Sequence, residues 1–230
     1  MAEIGKKAAA EALGTGLLLA VVIGSGIMGE RLSGGNTAVA LLANTLATGA
    51  GLVALILSFG PISGAHFNPV VSVVDAWQGG LPWRGVPRYI AAQVVGAFAG
   101  VAIAHLMFEE PLFSWSTHER AGAAQFLSEA VATFGLLWVI LSCSRHRPSA
   151  TPFAVGAYIT AAYWFTASTS FANPAVTLAR AASNTFAGIR PVDAPAFIVA
   201  QLLGAVAARL LFNGFMGASP ATPAHQEKEL

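Results

Sequence analysis

Six stretches of the chain stay apolar for about twenty residues each: Ala8–Met28, Ala38–Gly60, Tyr89–Phe108, Ala121–Cys143, Ala150–Thr169 and Ala194–Phe215. Crossing a hydrocarbon layer of about 30 Å takes roughly 20 helical residues, so the pattern predicts six transmembrane helices. The first stretch follows Lys6 and Lys7 as a signal peptide would, but its length and the five stretches behind it argue for a retained helix. Two shorter apolar runs, Val70–Trp77 and Ala175–Ala182, allow only about two helical turns and cannot cross.

Three patterns from the first half recur in order in the second. Glu11-Ala12-Leu13-Gly14-Thr15 is echoed by Glu129-Ala130-Val131-Ala132-Thr133, Asn68-Pro69-Val70-Val71 by Asn173-Pro174-Ala175-Val176, and Gln93-Val94-Val95-Gly96-Ala97 by Gln201-Leu202-Leu203-Gly204-Ala205. Three matches in register indicate a duplication. Each copy holds three spans, so the second must enter the bilayer from the opposite face. Such inverted repeats usually place their functional site near the midplane, where the halves meet. The chain therefore reads as one domain, 1–230, with repeats 1–115 and 116–230 joined through the polar stretch Glu110–Glu119.

The short runs have a common start. Asn68 and Asn173 stand where a helix N-cap belongs, and Pro69 and Pro174 at the first helical position. Asn accepts from orphan backbone N–H groups there, and Pro lacks the N–H that would go unpaired. Non-helical backbone at membrane depth survives only where it is buried or lines a water-filled cavity. Each segment is thus expected to re-enter halfway, with the two helix N-termini facing each other.

Composition agrees and narrows the function. Of the 230 residues 55% are hydrophobic and 10% charged, against about 25% charged in soluble chains. A net charge of +1 with no basic run excludes a nucleic-acid partner, and one cysteine, Cys143, forms neither an internal disulfide nor a metal cluster. Lys6, Lys7, Arg84, Arg88, Arg145, Arg147 and Lys228 fall on one side of the six spans, and Arg31, Arg120, Arg180 and Arg190 on the other, beside several glutamates. The positive-inside bias puts both termini in the cytoplasm.

On these residues the chain resembles the aquaporins and aquaglyceroporins. The resemblance rests on the paired Asn-Pro-Ala-type boxes, the glutamate early in the first and fourth helices, and the Gln-x-x-Gly-Ala of the third and sixth, over roughly residues 8 to 215. The first box departs mildly, reading Asn-Pro-Val. The resemblance implies an all-α membrane protein with six transmembrane helices and two re-entrant half-helices in an inverted 3+3 repeat. It also implies a homotetramer in the lipid bilayer of a bacterial inner membrane, with no cofactor and no metal.

It further implies that Asn68 and Asn173 donate to the passing solute, and that carbonyls of Gly64, Ala65 and His66, and of Thr169, Ser170 and Phe171, form an acceptor ladder. Glu11 and Glu129 are ionisable groups inside spans, functional candidates by default. Their duplication and the resemblance favour a scaffold accepting from loop N–H groups over a proton relay. His105 and His146 are expected at the membrane interface, and Gly96, Gly100 and Gly204 at close helix contacts.

The chain departs from the water-selective pattern at the filter. Relatives that pass mainly water carry Arg directly after the second box, where this chain has Val176. The implied filter is Thr48, Tyr163, Ser170 and Val176, with Trp164 as an alternative to Tyr163. It resembles bacterial members that lack the arginine. Losing a guanidinium removes a charge and a rigid fork of donors, so the expected cargo is small uncharged solutes such as glycerol, urea or arsenous acid, together with water. A strict water channel and an inverted-repeat secondary transporter are the alternatives. An enzyme is not expected, since the spans hold neither a nucleophile motif nor metal-spaced ligands.

Overall fold

The structure is a computed structural model and describes residues 2–216. Among the described residues every regular element is a helix: α1 (Ala2–Leu32), α2 (Thr37–Ser63), α3 (Pro69–Trp77), α4 (Val86–Phe108), α5 (Ala123–His146), α6 (Thr151–Phe165), α7 (Pro174–Arg180) and α8 (Ala194–Met216). Six are long, and α3 and α7 are the half-helices. Lys228, counted above among the inward-side charges, lies outside the described residues.

Helices α1, α2, α4, α5 and α8 are long and apolar enough to cross a membrane. The fifth of the six expected spans is shorter than the hydrophobicity implies. Helix α6 stops at Phe165, and Thr166 turns extended at φ −109° and ψ 137°. Residues 166–169, uncharged and so read as part of the span, instead begin a re-entrant loop. At 1.5 Å per residue, the 15 residues of α6 rise about 22 Å.

Small residues set the helix crossings. A side chain at Gly96 would collide with the Ala12 backbone carbonyl, one at Gly100 with that of Gly16, and one at Gly204 with that of Ala130. Helices α1 and α4, and equally α5 and α8, therefore pack backbone to backbone, as membrane helices with small contact residues do. Helices α2 and α6 meet in the same way at Gly49 and Gly156. Because Ala12 follows Glu11 and Ala130 follows Glu129, each close crossing also fixes a buried carboxylate beside a loop.

Candidate functional site

Each re-entrant loop has the same backbone. Gly64, Ala65 and Phe67 in the first and Thr169, Ser170 and Ala172 in the second all have positive φ, between 49° and 88°. Five of these six carry a side chain, and left-handed geometry costs a non-glycine residue about 1–3 kcal/mol. The loops hold it because each is tied to a carboxylate. Glu11, fully buried, accepts from the Ser63 hydroxyl at 2.6 Å, the His66 N–H at 3.0 Å, the Phe67 N–H at 2.7 Å and the Gln93 amide at 2.8 Å. Glu129 accepts from the Phe171 N–H at 2.8 Å, the Ala172 N–H at 2.9 Å and the Gln201 amide at 2.7 Å. Hydrogen bonds to charged groups stabilise by roughly 1.5–3 kcal/mol each, enough to offset the backbone strain.

Gln93 and Gln201 were expected only as part of a repeat signature. Each joins its glutamate to a half-helix: Gln93 also donates to the Ser72 hydroxyl and Gln201 to the Thr177 hydroxyl, both at 2.9 Å. Each Gln lies on the helix that crosses the span carrying its glutamate. Their identical place in both copies, with one polar residue amid apolar ones, was the available signal.

The half-helices meet at the boxes. Asn68 caps α3 by accepting from Val70 N–H at 3.1 Å, and Asn173 caps α7 by accepting from Ala175 and Val176 N–H at 3.0 and 3.3 Å. The side-chain amides then cross over. Asn68 Nδ2 donates to the Ala172 carbonyl at 2.7 Å and Asn173 Nδ2 to the Phe67 carbonyl at 2.8 Å. An asparagine amide has two N–H donors, so one per residue is left beyond the loop-to-loop bond. Pro69 and Pro174 occupy the first helical positions.

A cavity of about 460 Å³ runs past both boxes, walled on one side of them by Gly64, Ala65, His66, Asp75 and Gln78, and on the other by Thr48, Tyr163, Ser170, Phe171 and Val176. Leu18, Val22, Leu136, Leu137 and Ile159 supply much of the remaining wall. The Tyr163 hydroxyl donates to Thr48 Oγ1 at 3.3 Å, so these two act as one unit. Tyr163 is buried and lines the cavity, while Trp164 is 49% exposed. The Ser170 hydroxyl is buried without a partner. Thr169 is not in this wall; Arg120 Nη1 donates to its hydroxyl at 3.4 Å and to the Ser168 carbonyl at 3.1 Å.

Comparison with known proteins places the chain. The Major intrinsic protein family matches residues 1–170 and 146–229. The chain belongs to that family. It is 56% identical over 221 residues to aquaglyceroporin AqpS of Rhizobium meliloti (strain 1021), covering 96% of this chain and 94% of that one. It is 35% identical over 162 residues to the probable aquaporin NIP7-1 of Arabidopsis thaliana, covering 65% of this chain and 55% of the other. The X-ray structure of the aquaglyceroporin from Plasmodium falciparum superposes with a TM-score of 0.74 at 20% identity, over 91% of this chain and 96% of that one, and so has the same fold.

As a major intrinsic protein the chain is a passive membrane channel and not an enzyme. Two arginines and a histidine stand elsewhere than the sequence pattern suggested. Arg180 and Arg120, counted among outer-loop charges, are 2% and 8% exposed. The Arg180 guanidinium carbon sits 3.3 Å from the centroid of the Phe171 ring and that of Arg120 5.0 Å from it. Arg180 also belongs to the cavity wall. Its spacing from Val176, four residues along one half-helix face, could have revealed this. His105, expected at the interface, is fully buried and bonds Ser183 Oγ at 2.8 Å, linking α4 to the segment after α7.

Proposed function

We propose that this channel passes small uncharged solutes, namely glycerol-type polyols, urea and neutral metalloid acids such as arsenous acid, together with water. The observation that carries the reading is the residue after the second box. Val176, apolar and uncharged, lines the cavity where a water-selective pore would hold a guanidinium, and the small Thr48 lines it too. The name aquaglyceroporin borne by the 56%-identical relative supports a pore of that width.

In this reading the remaining amide N–H groups of Asn68 and Asn173 replace bulk hydration as a solute crosses the midplane. Carbonyls of Gly64, Ala65, His66, Ser170 and Phe171 accept from its hydroxyls, and Thr48, Tyr163, Ser170 and Val176 set the width. The helix N-termini at the boxes contribute about half a positive charge each, which opposes protons and cations. Glu11 and Glu129 act as the scaffold of the loops and not as a proton relay. Residues 1–115 and 116–230 act as two repeats of one channel domain. The protein works as a homotetramer in the plasma membrane with both termini cytoplasmic, which cross-linking in native membranes and terminal-tag accessibility would test.

Stopped-flow measurements on proteoliposomes decide the solute. Glycerol, urea and arsenous acid are expected to enter faster than in protein-free vesicles, with flux linear in the gradient. Water permeability alone would favour a strict water channel, and saturating flux coupled to an ion gradient would favour a transporter.

A further inference from the structure

We propose that Arg180 is the charge-selecting residue of this pore, a cation displaced one helical turn along α7 from the position after the box. The inference rests on the channel reading above and concerns what that channel refuses.

Residues four apart on a helix share a face, so Arg180 follows Val176 along the lumen side of α7. Both belong to the cavity wall. Two contacts hold the guanidinium: Nε donates to the Ala187 carbonyl, and the plane lies against the Phe171 ring. Neither terminal nitrogen has a hydrogen-bond partner among the described residues, yet neither is sealed away from solvent. With the residue 98% buried, the cavity is the space they meet. Two donor-bearing nitrogens of a permanent cation thus face the solute path, clamped from behind.

No carboxylate pairs directly with the charge. Among the described residues neither Arg180 nor Arg120 is in a salt bridge. The Glu129 carboxylate makes its hydrogen bonds to loop N–H groups and Gln201 and attracts both arginines only through space. Arg120 is turned toward the Gly188 and Ser168 carbonyls at 2.8 and 3.1 Å and adds a second positive charge behind Phe171. A cation with no contact ion pair in a partly desolvated passage repels other cations. A neutral solute meets donors there and passes. Placing the charge one turn from Val176 keeps exclusion while leaving the narrow section wide.

Urea and guanidinium make the test, being planar, alike in size and different in charge. The readout is the guanidinium-to-urea permeability ratio per folded channel in proteoliposomes at low solute concentration. Arg180→Gln is expected to raise that ratio by about tenfold or more, the scale of losing one unit charge a few ångströms away at protein dielectric. Arg180→Lys keeps the charge and should leave the ratio near that of the unaltered channel. Val176→Glu, which can pair with Arg180 at i,i+4, should raise it without removing the arginine. An arginine that merely braces Phe171 would lower both fluxes together and leave the ratio unmoved. An unchanged ratio in folded Arg180→Gln or Val176→Glu protein overturns the proposal. If neither variant folds, equal permeation of both solutes through the unaltered channel overturns it. Failure of urea and glycerol to exceed protein-free vesicles would instead remove the channel reading itself.

Discussion

Replacing Glu129 isolates the scaffold from any proton chemistry. Its two oxygens accept from Phe171 N–H at 2.8 Å, Ala172 N–H at 2.9 Å and Gln201 Nε2 at 2.7 Å. Glu129→Leu strands the two backbone donors, whose burial unpaired costs about 1–3 kcal/mol each. Gln201 keeps its bond to Thr177, so its share is smaller. The sum, about 2–6 kcal/mol, is a large part of the 5–15 kcal/mol that stabilises a typical fold. It falls on a loop already held in left-handed geometry at Thr169, Ser170 and Ala172. Glu129→Gln keeps one acceptor oxygen. Its new amide can donate to Gln201 Oε1, which is buried without a partner, but it meets one of the two loop N–H groups as a donor, so the loss should be about 1–3 kcal/mol, one buried backbone donor unpaired instead of two. Thermal unfolding in detergent should show a drop of about 2–4 °C per kcal/mol for a chain of this size. Glycerol flux per folded channel should persist in the Gln variant. A Leu variant that melts and conducts like the unaltered protein refutes the scaffold argument. A Gln variant that folds normally yet conducts nothing points to a relay.

Other outcomes follow from the same geometry. Asn173→Asp should damage conduction or selectivity far more than Asn184→Asp, because Asn173 bridges the loops and lines the cavity whereas Asn184 is exposed and binds Thr117; equal effects at matched expression would remove the pore assignment. Val176→Arg should lower glycerol and arsenous acid permeability sharply and water permeability less, with Thr48→Phe deepening the discrimination; an unchanged solute-to-water ratio in folded protein counts against both filter positions. Gly96→Val should abolish assembly or lower the melting temperature steeply, since even its Cβ meets the Ala12 carbonyl; a variant that melts within a few degrees of the unaltered protein would show that α1 and α4 separate freely.

Much of this protein was legible in one dimension because its constraints are local. The bilayer demands apolar runs of a limited length, and an asparagine followed by proline suits a helix start as N-cap and first helical position. Duplication wrote both signals twice. Composition and spacing therefore determined six spans, two half-helices and the inverted pairing. The contacts that make a pore are not local. Asn68 meets Ala172 and Asn173 meets Phe67 across more than a hundred residues, and no periodicity encodes which atoms of two distant loops will touch. The end of α6 was also misplaced, because the segment from Thr166 to Thr169 is small and uncharged enough to be read into a span, yet it is tied into a loop by bonds such as Ala167 N–H donating to Ser128 Oγ at 3.1 Å. Which of Tyr163 and Trp164 lines the cavity depends on how α6 is rotated against its neighbours. Arg180 shows the gap most clearly. As a letter near a helix end it reads as a solvated charge, and only the fold, by stacking it on Phe171 and closing the chain around it, turns it toward the lumen.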